Sequence, residues 1–172
     1  YDGVRAVWDG RTLRFRSGLP IAAPAEFVAR LPAVPLDGEL WLDRGRFEAL
    51  SGLVRRQRSD AAAWRQLRYM VFELPGASGS FAARAQRIAT LAQQSGWPQL
   101  LAVEQQALDS PQALQRRLDE VVAAGGEGLM LHRADVPYET GRSASLLKLK
   151  QLHDAEARVI GHVAGRGRHA GR

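Results

Sequence analysis

Between short runs with apolar residues at every second position stand two longer runs at helical spacing, SFAARAQRIATLAQQSG and SPQALQRRLDEVVAAGG. Strands and helices that mix in this way, without regular alternation, argue for an α+β domain of mostly antiparallel sheet. The second helical run carries its own punctuation: Ser110 as N-cap, Pro111 at the first helical position and Gly125-Gly126 as the stop. RAVW and RTLRFR flank Asp9-Gly10, a pair that suits a two-residue type I′ hairpin turn. In the second of these strands Leu13 and Phe15 face one way, and Arg14 and Arg16 the other. PLDGELWL reads as a strand ending in the turn DRGR and followed by a helical FEALSGLVRRQ; RYMVFEL, EGLMLHR, SLLKLK and EARVIGHVAG read as further strands. The expected organisation is one domain over residues 1–151, with residues 152–172 opening another unit that runs into the Gly/Arg-rich AGRGRHAGR.

The 172 residues, 45% of them hydrophobic, can bury a core. The 24 basic and 18 acidic residues leave a net charge of +6 spread along the chain. That favours an anionic partner, of which the nucleic-acid backbone is the commonest. The absence of cysteine excludes a disulfide scaffold and thiolate metal sites. No apolar run reaches the roughly 18 residues a bilayer crossing needs, so no membrane partner is expected.

All but two of the 24 basic residues are arginine. The two lysines, Lys148 and Lys150, lie two apart in SLLKLK, a spacing that puts both on one face of a strand with Leu147 and Leu149 on the other. The same spacing suits an amphipathic strand with one solvated face. Two ammonium groups a few ångströms apart also gain from an anion between them, and a phosphate would serve. A chain that uses arginine for general surface charge and keeps lysine here selects a compact ammonium over a planar fork. Two carboxylates complete the pattern: Glu39 inside the apolar LDGELWL, and Glu127 between glycines that let a ligand approach the backbone. Acids for a hydroxyl-rich sugar and a divalent ion, with bases for a phosphate, describe a nucleotide pocket. Hard oxygen ligands without cysteine point to Mg²⁺ or Mn²⁺.

YDGVR followed by a hairpin, then FRSG, LDGELWL, YMVFEL, GGEGLMLH and SLLKLK, in this order from residue 1 to about 150, resembles the covalent nucleotidyltransferase superfamily. The closest resemblance is to the small ATP-dependent DNA ligases of bacteria. It implies a nucleotidyltransferase (adenylation) domain of mostly antiparallel sheets with flanking helices over residues 1–151, followed at 152–172 by the first strand of an OB-fold barrel. It also implies ATP as AMP donor, Mg²⁺ or Mn²⁺, nicked double-stranded DNA as partner, and a monomer. Relatives of this kind are often exported, so the resemblance leaves periplasm and cytoplasm both open.

In that family the nucleophile is the lysine of K-x-D-G-x-R, and Tyr1 to Arg5 match the last five positions. The lysine is expected immediately before Tyr1, at a position the sequence does not include. A guanidinium could not replace it, because lysine can lose its proton beside other cations and arginine effectively cannot. By resemblance, Lys148 and Lys150 neutralise charge at the α-phosphate, and Asp2 orients the nucleophile or a metal-bound water. Tyr1 and Arg5 lie by the nucleotide, with Arg5 also near the nick. Arg16 contacts the ribose or a DNA phosphate, although Phe15 stands where the family has serine. Glu39 holds the ribose hydroxyl, and Phe72 stacks on adenine, followed by Glu73 where the family has aspartate. Glu127, with Asp2, organises the metal. Arg55, Arg56 and Arg58 form an outer basic cluster that suits a solvated helix face or DNA phosphates. An RNA ligase, an mRNA capping guanylyltransferase, or a non-catalytic nucleic-acid-binding module without the nucleophile are the alternatives. The histidines at 132, 153, 162 and 169 have no metal-ligand spacing.

Overall fold

The computed structural model describes residues 1–151, 157–165 and 170. Its strands and helices follow in the order β1 (Val4–Trp8), β2 (Leu13–Phe15), α1 (Ala25–Val28), β3 (Leu36–Trp41), α2 (Phe47–Val54), α3 (Ala61–Trp64), β4 (Arg68–Glu73), α4 (Phe81–Ser95), β5 (Leu100–Ala102), α5 (Pro111–Ala123), β6 (Gly128–His132) and β7 (Leu146–Lys150). The first five strands form one sheet in the order β2-β1-β3-β4-β5, and β6 and β7 form a second, two-stranded sheet. All pairings are antiparallel except β4 with β5, which α4 joins as a crossover. The mixed α+β architecture with mostly antiparallel sheets is therefore as expected. Strand β5 had no pattern to betray it, since three residues of LLA complete no period.

Alternation along the strands divides the larger sheet into two faces. Val4, Ala6, Trp8, Leu13, Leu36, Leu40, Tyr69 and Val71 are buried against Phe27, Leu50, Leu53, Val54, Trp64, Ile88 and Trp97. Phe27 sits edge-on to both Trp64 and Trp97 at 4.9 Å. The Tyr69 hydroxyl, held neutral by burial, reaches the carbonyls of Ala6 (2.9 Å) and Leu36 (3.1 Å) and so ties three strands together. Its ring lies over Gly38. A Cβ there would stand 2.6 Å from the Met70 carbonyl oxygen and 2.8 Å from Tyr69 Cε2. Gly38→Ala is thus expected to cost about 1–3 kcal/mol through overpacking, read from the denaturant midpoint at unchanged slope; an unaltered midpoint would contradict the close approach.

Helices α4 and α5 start where their caps predict. Ser80 and Ser110 accept hydrogen bonds from the amides of Ala83 and Ala113, and Gly96 ends α4 in the left-handed region at φ 59°. Three local expectations need correction. The β1–β2 register pairs Trp8 with Leu13, so the connection has residues 9–12 rather than two, because the Asp9 carboxylate accepts from the amides of Arg11 (2.9 Å) and Thr12 (2.7 Å) and draws them into the turn. Helix α2 stops at Val54, leaving Arg55, Arg56 and Arg58 beyond it. In EARVIGHVAG, residues 157–165 form no strand and Ile160 is 97% exposed, with no ladder partner among the described residues. Parts of the segment expected to open a barrel lie outside the described residues.

Candidate functional site

The second face of the larger sheet is polar and aromatic. Register places Arg5 opposite Glu39 and Glu39 opposite Met70, with Asp37 opposite Val7 and Trp41 opposite Arg68. Arg5 Nε donates to Asp37 Oδ1 at 3.0 Å and Nη2 to Oδ2 at 2.6 Å. This fork fixes the guanidinium plane, and the Asp37 hydrogen bonds hold Arg5 above its ordinary pKa. Asp37 is buried, and the sequence reading missed it. Its signal was available, because Asp37 lies two positions before Glu39 on the same strand face.

Glu39 is half-buried, and burial pushes its carboxyl above the ordinary range, partly offset by a hydrogen bond from the Gly3 amide. Gly3 itself presses on β3: a Cβ there would lie 2.4 Å from the Leu40 carbonyl oxygen. A carboxyl whose folded-state pKa is raised contributes stability below its ordinary pKa and loses it as pH rises through the raised value. Glu39→Gln is therefore expected to melt no lower than wild type at pH 7. The difference should shrink as pH falls through the carboxylate range, followed by thermal melts across a pH series. A large loss of stability at pH 7 would mean that Glu39 is a structural ion.

The β3–β4 register slips between Asp37 and Gly38. Asp37 pairs with Glu73 and Gly38 with Val71, which leaves Phe72 as the extra residue of a bulge. Bulges re-aim side chains, and Phe72, half-buried, stands with the Arg5 guanidinium 5.7 Å from its ring centroid. Tyr1 instead packs edge-on to Trp41 at 5.1 Å, and Arg68 lies 5.5 Å over the same indole.

The second sheet supplies the bases. Met130 pairs with Lys148 and Gly128 with Lys150, so both lysines share one face, as their spacing predicts. Lys148 Nζ donates to Glu127 Oε2 at 2.6 Å. That bond holds the Glu127 carboxyl below and the Lys148 ammonium above their ordinary ranges. Asp2 and Glu39 add, after Glu127, to the field that holds Lys148 above its ordinary range. The glycine beside Glu127 does a different job from the one expected. At Gly128 (φ 150°) a Cβ would lie 2.1 Å from the Leu149 carbonyl oxygen, so the space is filled by β7 rather than left for a ligand.

Arg16 is exposed and follows Phe15, the partner of Ala6, which puts it at the sheet edge near Arg5. Arg55, Arg56 and Arg58 are exposed, and Arg56 lies 3.9 Å from Asp60. Of the histidines expected to bind no metal, His132 stacks on Phe81 at 3.7 Å, and His153 and His169 lie outside the described residues. Concavities of about 480 and 400 Å³ lie elsewhere, beside Pro75 and Leu91 and beside Trp64 and Trp97.

One arrangement joins the parts. Arg84 is fully buried and grips Glu73 with Nε at 2.7 Å and Nη2 at 2.9 Å, while Nη1 donates to the carbonyls of Gly79 (2.7 Å) and Val136 (3.2 Å). The amides of Phe81 and Ala82 donate to the carbonyls of Val136 and Ala134. The β6–β7 connection is thereby fastened to α4 and β4.

The profile of the ATP dependent DNA ligase domain matches residues 21–150. The chain is 32% identical over 166 residues to a DNA ligase of Haemophilus influenzae, a match that covers 96% of this chain and 61% of that protein's length. A solved Lig E DNA ligase superimposes with a TM-score of 0.87 at 42% identity, over 99% of this chain and 67% of its own. The Chlorella virus DNA ligase-adenylate, at 21% identity and a TM-score of 0.73 over 90% of this chain and 61% of its own, shares the fold.

Proposed function

Because the chain belongs to the ATP-dependent DNA ligase family, we propose that it is the adenylation core of an enzyme that seals nicks in duplex DNA, using ATP as AMP donor. The observations that carry this reading are the Lys148–Glu127 pair on one sheet and the Asp37-clamped Arg5 beside Glu39 on the other, with Asp2 and Glu39 adding to the field on Lys148. That set offers cations to a phosphate and acids to a sugar within one site.

The proposed chemistry is transfer of AMP to an amine, then to the 5′-phosphate of a nick, then its displacement by the 3′-hydroxyl. The attacking amine belongs to the lysine expected immediately before Tyr1. Its nitrogen bonds to the α-phosphorus as the bond to pyrophosphate breaks, and its proton goes to solvent or to Asp2. Such transfers depend on positioning and on charge neutralisation. Lys148 and Lys150 take the charge that develops on the α-phosphate oxygens, and their field favours a neutral attacking amine. Glu39 accepts from the ribose hydroxyl, Phe72 stacks on the base, and Tyr1 packs beside the nucleotide. Arg5 and Arg16 engage phosphates at the nick, and Arg55, Arg56 and Arg58 engage phosphates further out.

Among the described residues no group of three acids or histidines could hold a metal alone. This suits Mg²⁺ or Mn²⁺ in the mode in which one or two carboxylates are joined by substrate phosphates. Glu127, whose carboxyl the Lys148 hydrogen bond holds below its ordinary range, and Asp2 would hold the ion. Once bound, the ion supplies Lewis-acid neutralisation of the phosphates. Residues 152–172 are read as the lead into an OB-fold domain, and the working unit as a monomer.

The test is an intact mass of the full-length protein after ATP, with and without pyrophosphate, followed by sealing of a nicked duplex. An adduct of one AMP that pyrophosphate removes, with sealing of nicked DNA, is expected. A GMP adduct would favour a capping-type relative, sealing of nicked RNA alone an RNA ligase, and no adduct a binding module.

A further inference from the structure

We propose that Trp41 is a positioning residue for the attacking amine, acting through Tyr1, the residue next to the expected nucleophile; this rests on the adenylyl-transfer reading. The ladder of β1 against β3 begins only at Val4, opposite Leu40. Tyr1 stands three residues before it, so side-chain packing rather than strand pairing sets its place. That packing is on Trp41, which meets the tyrosine ring edge-on at 5.1 Å, while Tyr1 as a whole is 58% exposed. A ring that is mostly exposed and seated on one buried partner takes its orientation from that partner.

Trp41 is itself firmly held. It is buried, and it lies two residues after Glu39, on the same face of β3 as that carboxylate. Its partner across the sheet is Arg68 of β4, whose guanidinium carbon lies 5.5 Å over the indole. A cation over an aromatic face is attracted by the ring quadrupole. The indole is thus fixed by its own strand and by Arg68, and it offers Tyr1 a surface that does not move with the chain end. Gly3 anchors the other end of the short segment, since it lies so close to β3 that a Cβ there would run into the Leu40 carbonyl oxygen. With Gly3 seated on β3 and Tyr1 on Trp41, the direction in which the chain leaves Tyr1 is defined, and with it the approach of the lysine amine. Misplacing a reacting group by about an ångström can cost on the order of 100-fold in rate.

Self-adenylylation by the full-length protein, read by intact mass at varied ATP, tests the proposal. Trp41→Leu keeps an apolar side chain and removes the edge contact. It is expected to lower kcat for the AMP adduct on the order of 10-fold, equivalent to about 1.4 kcal/mol and of the size an aromatic pair contributes. KM for ATP should stay within about twofold of wild type. Trp41→Phe keeps a ring and should recover most of the rate. Discharge of the adduct by pyrophosphate, which breaks the nitrogen–phosphorus bond and re-forms ATP through the same transition state, should slow in parallel. In a Tyr1→Leu background the Trp41→Leu change should add little, because both act through one contact. A merely structural tryptophan would lower the melting temperature and leave the kcat of the folded protein alone. If Trp41→Leu does not fold, Tyr1→Leu against Tyr1→Phe replaces it, with the slow rate expected only in the leucine variant. An unchanged kcat in Trp41→Leu, no recovery in Trp41→Phe, additive losses in the double variant, or equal rates in the two Tyr1 variants would overturn the positioning role. Wild-type protein that takes up no AMP defeats the adenylyl-transfer reading itself. Normal uptake by wild type with an unchanged kcat in Trp41→Leu defeats only Trp41.

Discussion

Arg84→Met is expected to lower the melting temperature by on the order of 10 °C in the full-length protein. The variant leaves Glu73 buried without its partner and the Gly79 carbonyl without a donor. Removing one member of a buried ion pair costs about 3–5 kcal/mol, and each kcal/mol shifts a chain of 150–250 residues by roughly 2–4 °C. Arg84→Met combined with Glu73→Leu should recover much of the loss, because the desolvation cost disappears with the charge. Thermal denaturation of the single and double variants decides the matter. A single variant that melts with wild type, or a double variant no better than the single, would remove the pair from its stabilising role.

Lys148→Ala should leave the melting temperature almost unchanged and slow formation of the AMP adduct by on the order of 100-fold. Lys148 and Glu127 are both about half exposed, and such pairs contribute roughly 0–1 kcal/mol to stability. In contrast, deleting one group that stabilises transition-state charge costs on the order of 100-fold or more in rate. Lys148→Arg can keep an ion pair with Glu127 but presents a broad, weakly hydrated fork in place of a compact ammonium, and should also be slow. Single-turnover appearance of the adduct by mass measures both. Normal rates in the two variants would exclude the proposed contact with the α-phosphate.

Local pattern was enough for most of the elements. Ser110-Pro111 and Gly125-Gly126 bounded α5, alternation identified β3, β4, β6 and β7, and the spacing of Lys148 and Lys150 put both ammonium groups on one strand face. These features depend on neighbours within a turn or a pleat, which a sequence displays directly. The two-residue hairpin turn failed because a side chain, Asp9, outcompeted the backbone preference of the Asp-Gly pair.

Tertiary structure alone decided the rest. The bulge at Phe72 exists only in the register of β4 against β3, and the closeness of Gly128 to Leu149 only in the pairing of β6 with β7. The Asp37 fork on Arg5 spans 32 residues, and the Arg84 hub reaches 52 residues to Val136. Residue types and face alternation are written along the chain, so the kinds of groups that line the candidate site were legible there. Which carboxylate meets which cation is set by pairing between distant segments, and no local period encodes it.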